Sequence, residues 1–147
     1  MDFILRSVKK EDSKEVKKLA EELGYPSSEE KISEILEKVI KHDDHRMVVA
    51  ENANELVGYI HMVSSIRVGS DPFVEIAALS VLDKFRKKGI GKSLISESQN
   101  MANEKGINYV RIRSNIIRQE AHKFFEQRGF RNFKTQEVFV KKIHEDT

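Results

Sequence analysis

Residues 79–94 read LSVLDKFRKKGIGKSL, from Leu79 to Leu94, and their order decides how the rest of the chain is understood. An apolar strand end runs into a basic turn holding Gly89 and Gly91, and an amphipathic helix begins at once. A helix start carries backbone N–H groups without intrahelical partners and the positive end of the dipole, so glycines there let a phosphate approach the amides closely. Arg86, Lys87, Lys88 and Lys92 add positive charge at the same place.

Spacing separates the phosphate-loop patterns that these letters could satisfy. GxxxxGK[ST] is met at Gly91, Lys92 and Ser93, but Arg86 stands where its first glycine belongs. GxGxxG is met at Gly89 and Gly91, but Leu94 replaces the third glycine and no βαβ repeat surrounds it. The pattern [R/Q]xxGx[G/A] is met in full by Arg86-Lys87-Lys88-Gly89-Ile90-Gly91, with Val81 five residues upstream on a strand. On these residues the sequence resembles the GNAT superfamily of acetyl-CoA-dependent N-acetyltransferases. The ordinary alternative for six letters is a solvated basic turn capping a helix, so the flanking chain has to decide.

One chain of 147 residues suits a single domain spanning 1–147. With 39% hydrophobic and 34% charged residues it has the composition of a compact protein with a charged surface. No apolar run approaches the roughly 18 residues of a membrane span, and the N-terminus MDFILRSVKKED lacks a secretory apolar core, so a cytoplasmic location is expected. The absence of cysteine excludes disulfides, thiolate metal sites and a cysteine nucleophile. His42, His45, His61 and His144 have no ligand spacing, and no metal site is expected. A formal charge of +2 is too near neutrality to imply a nucleic-acid partner.

Taken in order, Phe3 to Arg6 reads as a short strand, and a helix from about Ser13 repeats Val16, Leu19, Ala20 and Leu23 before Gly24. Ser27 to Glu30 forms an S-x-x-E capping box for a second helix with the apolar stripe Ile32, Ile35, Leu36, Val39 and Ile40. Arg46 to Glu51 and Leu56 to Val63 read as a hairpin around the four-residue loop Asn52-Ala53-Asn54-Glu55. Gly58 within it reads as a bulge or a point of close packing. A loop over residues 64–72 leads into the strand Phe73 to Val81. After the basic loop come a helix marked by Leu94, Ile95, Ser98, Met101 and Ala102 and closed by Gly106, a strand over Ile107 to Arg113, and a helix carrying Ala121, Phe124 and Phe125 up to Gly129. Phe130-Arg131 and Val138 to Ile143 are the last expected strands. The order β, α, α, β, β, β, α, β, α, β, β is that of the GNAT fold, an α/β architecture in which helices flank a mixed, mostly antiparallel sheet.

The resemblance therefore covers nearly the whole chain, and it implies a site. Acetyl-CoA would lie where the strand before the loop splays from the next strand. Backbone groups of Leu79 and Val81 would take its pantetheine arm, and the amides from Arg86 to Lys92 (Arg86, Lys87, Lys88, Gly89, Ile90, Gly91 and Lys92) would take its pyrophosphate. Glu75, six residues before Val81, matches the glutamate that acts as base in the histone-modifying branch. Strand alternation puts it on one side with Ala77, Leu79 and Val81 unless a bulge intervenes, and the ordinary alternative is a solvent-facing strand glutamate.

Ser114-Asn115 with the segment Ala121 to Phe130 resembles the family's downstream motif, which gives Asn115 and Phe124 to the cofactor site. Phe125 stands where many members carry a tyrosine that protonates the leaving thiolate. A phenyl ring has no proton to give, which leaves water, the substrate ammonium, His122 or Tyr109. The segment Arg113 to Phe124 with Leu23 to Pro26 is similar to bacterial aminoglycoside 6′-N-acetyltransferase-like members. The acceptor would be an amine of a small molecule or a protein, bound by the second helix, the 64–72 loop and the C-terminal strands, and a homodimer is the assembly the family suggests. A coenzyme A-binding regulator without turnover is the alternative.

Overall fold

The computed structural model describes residues 2–113 and 119–144. The chain divides into two compact units, Met1–Arg113 and Ser114–Thr147. The first holds a five-stranded sheet in the order β1-β2-β3-β4-β5, with β1 at Ile4–Ser7, β2 at His45–Asn52, β3 at Glu55–Ser65, β4 at Phe73–Val81 and β5 at Tyr109–Ile112. The first three ladders are antiparallel and the β4–β5 ladder is parallel, giving the expected mixed, mostly antiparallel sheet.

Helix α1, Ser13–Glu22, buries Val16, Leu19 and Ala20 on its inward face. Gly24 ends it at φ +86°: the Gly24 N–H bonds to the Glu21 carbonyl at 2.9 Å and the Tyr25 N–H to the Ala20 carbonyl at 3.1 Å, which satisfies carbonyls that the helix leaves open. Helix α2, Glu29–Lys41, is capped one residue later than expected, because the Ser28 hydroxyl accepts from the Lys31 N–H at 3.1 Å. Lys31 at the third helical position cannot complete a capping box, so the expected Ser27–Glu30 pairing does not form. Its buried stripe is Ile32, Leu36 and Val39, while Ile35 and Ile40 are about half exposed.

The β2–β3 hairpin is tighter than its sequence suggests. Asn52 pairs with Glu55, and Ala53 and Asn54 alone turn the chain at φ 49° and 66°. A two-residue turn with both centres at positive φ matches the strand twist, and alanine in place of the usual asparagine or glycine hid it. Gly58 is a point of close packing: a Cβ there would stand 2.8 Å from the Ser80 carbonyl and 3.3 Å from Leu94 Cδ1. β3, β4 and helix α3, Ile90–Lys105, meet across that missing methyl group.

Helices α1 and α3 pack on opposite faces of the sheet. On one face the Ser80 hydroxyl donates to the Leu19 carbonyl of α1, and on the other Gly58 and Val81 meet Leu94 of α3. Phe73, Ile60, Met62, Val49, Val57 and Val74 from the strands, with Leu19, Leu36, Ile90, Leu94 and Met101 from the helices, are almost fully buried. Replacing Leu94 by alanine would cost about 2–5 kcal/mol through lost burial and the cavity left behind. Arg6 fastens the β1 edge: Nη1 and Nη2 donate to Asp12 at 2.9 Å each and Nε to Glu51 at 3.0 Å. Burial pushes the Asp12 carboxyl up, and the Arg6 fork with the Lys9 amide outweighs it, holding the group below its ordinary range.

One irregularity governs the site. Along β3–β4, His61 pairs with Ala78 and Met62 with Ile76, so Ala77 bulges out of the ladder. The residue removed from the pairing reverses the alternation at that point.

In the second unit, helix α4, Gln119–Gln127, ends at Gly129 with φ +92°, where the Phe130 N–H bonds to the Phe125 carbonyl at 3.1 Å. The strands expected at Phe130-Arg131 and Val138 to Ile143 are not formed. Val138, Phe139 and Val140 are 79%, 87% and 94% exposed. Apolar, β-branched sequence favours a strand only where a neighbouring ladder and a half-buried face receive it, and among the described residues this run has neither. No described helix is long and apolar enough to cross a membrane.

Candidate functional site

β4 is paired unequally on its two sides. Toward β3 it is bonded from Phe73 to Val81, whereas toward β5 the pairs stop at Ile76–Ile112. From Ala77 to Val81 the second edge meets no β5 residue. The Leu82 N–H reaches back to the Val57 carbonyl at 2.9 Å, which fixes the direction of the peptides that precede it. Backbone groups alternate along a strand, so Ser80 and Leu82 address β3 while the N–H groups of Leu79 and Val81 face the other side, which pairs with no strand among the described residues. Such an edge accepts an extended ligand as it would accept another strand.

The open edge leads into the basic loop. After a 3-10 turn, Asp83–Phe85, Arg86 donates from Nε to the Val81 carbonyl at 3.2 Å and pairs with Asp83 at 2.8 Å, so its side chain braces the loop. Lys87 sits at φ +62° and Gly89 at φ +87°. The left-handed lysine costs about 1 kcal/mol, a strain that the loop shape imposes. The first intrahelical bond of α3 runs from the Ser93 N–H to the Gly89 carbonyl at 3.0 Å, leaving the N–H groups of Ile90, Gly91 and Lys92 without helical partners. Gly91 lies in the first helical turn and puts no side chain beside those amides. The structure thus brings Leu79, Val81 and residues 86–92 together along one continuous path.

Glu75 is elsewhere. Because Ala77 bulges, Glu75 shares its face with Ala78 and Ser80, the face that meets α1, and not with Leu79 and Val81, whose side chains lie on the α3 side. The expected single row is broken by that bulge. Glu75 Oε1 is buried and lies 3.0 Å from Arg113 Nε, an ion pair without an aligned hydrogen bond. Arg111 pairs with Glu75 across β4–β5, and its guanidinium carbon lies 4.0 Å from the centre of the Phe73 ring. Arg67, from the loop after β3, approaches the same ring at 5.0 Å.

The remaining expected residues divide differently. Asn115 lies outside the described residues. Phe124 and Phe125 belong to the second unit, half-buried against each other at 5.9 Å, with Phe130 against Phe125 at 6.2 Å and Arg128 over Phe124 at 5.6 Å. Tyr109, at the start of β5, is 54% exposed.

Two histidines that the sequence shows only as isolated residues meet on the Glu75 face. His45 Nδ1 and His61 Nε2 are 3.0 Å apart, and burial, with a smaller effect of the neighbouring His45, pushes His61 down to about 4. They are sixteen residues apart, and only the β2–β3 register joins them. A hollow of about 700 Å³ lies along Ser13, Ser28, Glu29, Glu30, Ser33 and Glu34, away from all of these groups.

A mixed sheet whose one parallel ladder splits midway, with a basic loop and a helix start at the mouth of the split, is the architecture of the GNAT acetyltransferases. Residues 11–144 match the family described as the acetyltransferase (GNAT) domain, and the chain belongs to that family. It is 26% identical over 145 residues to an uncharacterised N-acetyltransferase of Chlorobaculum tepidum, covering 99% of this chain and 85% of that protein. Glucosamine-6-phosphate N-acetyltransferase from Arabidopsis thaliana superposes with a TM-score of 0.84 at 19% identity, over 97% of this chain and 100% of that one. The enzyme AAC(6′)-Iy, in complex with the bisubstrate analogue CoA-S-monomethyl-acetylneamine, superposes with a TM-score of 0.85 at 18% identity, over 97% and 99%.

Proposed function

We propose that this protein is an N-acetyltransferase that moves the acetyl group of acetyl-CoA to a primary amine of a small molecule or protein. The observation that carries the reading is the continuity of the open β4 edge, the basic loop and the unpaired amides of α3. These groups fit the donor part by part. The N–H groups of Leu79 and Val81 suit the amide-rich pantetheine arm, and those of Ile90, Gly91 and Lys92 suit a pyrophosphate, with Lys87, Lys88 and Lys92 supplying charge. Arg86 braces the loop and acts through it. Asn115 and Phe124 stay assigned to the donor by motif alone.

When bound, the thioester supplies an activated acetyl group. The amine nitrogen attacks the carbonyl carbon, a C–N bond forms, the C–S bond breaks with its electron pair going to sulfur, and the ammonium proton must leave. Glu75 takes that proton directly or through water. Thiolate protonation falls to water, the substrate ammonium, His122 or Tyr109, because Phe125 has no acidic hydrogen. A second reading, coenzyme A binding without turnover, draws on that same phenylalanine.

Native mass spectrometry of the purified protein with acetyl-CoA, followed by an amine screen with detection of free thiol, tests both. Binding with thiol release in the presence of an amine supports the transferase. Binding with no release for any amine supports the regulator, and no binding removes both.

A further inference from the structure

We propose that His61 protonates the leaving coenzyme A thiolate with the proton that Glu75 takes from the amine, and that His45 holds it in place for this. This rests on the acetyl-transfer reading and adds a proton donor to the four named above. Register places both histidines on the Glu75 face. His45 and Glu75 each stand opposite Val63, from β2 and from β4, and His61 stands opposite Ala78. His61 and Glu75 are thus diagonal neighbours, at a spacing of roughly 7–8 Å that an aromatic ring and a carboxylate span with one water between them. Ala78 belongs to the stretch of β4 that no β5 residue meets, one residue before Leu79 of the proposed pantetheine site. At that level β4 puts only a methyl group between His61 and the open edge. Accessibility follows the same line. Along β3, residues 56–60 and Met62 are buried while His61 and Val63 are partly exposed, and along β4, Ile76 and Ser80 are buried while Glu75, Ala78 and Leu79 are partly exposed.

The ring is held from behind. His45 Nδ1 lies 3.0 Å from His61 Nε2, and the His45 N–H bonds to the His42 carbonyl at 3.1 Å. Beside it the Ser64 hydroxyl donates to the Asp44 carboxylate at 2.7 Å, which ties the end of β3 to the start of β2. In the tautomer where His61 Nε2 donates to His45, Nδ1 is the nitrogen left to exchange protons. Burial, with a smaller effect of His45, keeps the His61 ring neutral down to about 4. It therefore starts able to accept a proton, and once charged it gives that proton readily to a thiolate, whose acid ionises at about 8.5. The amine proton passes to a Glu75 oxygen, then to His61 Nδ1, then to the sulfur that keeps the electron pair of the broken C–S bond. Glu75 ends as a carboxylate, His61 as a neutral ring and coenzyme A as a free thiol.

The test is steady-state release of free thiol from acetyl-CoA by the full chain, with the amine that the screen selects. His61→Gln should lower kcat about a hundredfold while the acceptor KM and the coenzyme A affinity stay unchanged, and added imidazole should restore part of the rate. Because the two groups pass one proton in series, Glu75→Gln combined with His61→Gln should be no slower than Glu75→Gln alone. His45→Ala should lower kcat about tenfold. His45→Asn, whose amide oxygen accepts from His61 Nε2, should keep most of the rate, and His42→Gln should change nothing. Should His61→Gln lose its coenzyme A affinity, the two His45 variants decide. Full activity in His61→Gln, additive losses in the double variant, or equal activity in His45→Ala and His45→Asn overturns the relay while leaving acetyl transfer standing. Coenzyme A binding without turnover of any amine removes both.

Discussion

Between residues 77 and 92 the proposed donor site is built of backbone: the N–H groups of Leu79 and Val81 and the amides at the start of α3 that have no helical partner. The face carrying Glu75 offers side chains: a carboxylate from β4, arginines from β5 and a loop, and a histidine pair from β2 and β3. Backbone recognition tolerates changes in side chain and depends on path and conformation. Side-chain recognition depends on which face each residue occupies, and here a single bulged residue, Ala77, sets that. The two halves should therefore fail in different ways when altered.

The largest separation between them should come from Glu75→Gln. If Glu75 is the base, as proposed, turnover should fall about a hundredfold, with coenzyme A affinity measured by calorimetry unchanged. Full activity in that variant would move the base elsewhere, with solvent as the next candidate.

The converse change is Gly91→Glu, which puts a side chain in the first turn of α3 and brings negative charge to the proposed pyrophosphate site. Affinity for coenzyme A should drop at least about tenfold, against about threefold or less for Lys87→Ala, whose exposed charge contributes little. Unchanged affinity in the glutamate variant would remove the loop from the site.

A third effect belongs to stability. His61 ionises at about 4 in the fold against an ordinary 6.5, so between those values the unfolded chain binds more protons than the folded one. Stability is fully present above about pH 6.5 and falls as pH drops toward 4, by on the order of 1–3 kcal/mol. Urea midpoints across that window should shift less in His61→Gln. An identical slope would mean that the buried pair does not control acid sensitivity.

The smallest change expected is Phe125→Tyr. It should raise kcat a few-fold at most, and only if thiolate protonation limits the rate; a hundredfold gain would show the missing phenol to be the main defect.

What could be read in the sequence follows the same division. The loop Arg86 to Gly91, the strand before it and the helix after it are contiguous, so their chemistry and the family are written in neighbouring letters. Helices α1 and α2 were legible from their periodicity, although the α2 cap moved by one residue because Ser28 competed with Ser27 for the same role. The Glu75 face was not legible. Alternation predicts a face only while the ladder is regular, and the Ala77 bulge has no letter of its own. His45 and His61 meet through strand register, which separates neighbours in space by many residues in sequence. The last expected strands failed for a related reason: Val138 to Ile143 has strand composition, but composition does not supply the ladder that a strand needs.

Amide hydrogen exchange with and without acetyl-CoA tests the central claim that the open edge and the helix start hold the donor. The N–H groups of Leu79, Val81, Ile90, Gly91 and Lys92 should each slow by about tenfold or more on binding, while Ser80 and Leu82, directed toward β3, keep their rates. Acetyl-CoA binding that leaves Leu79, Val81 and the α3 amides unprotected would contradict it.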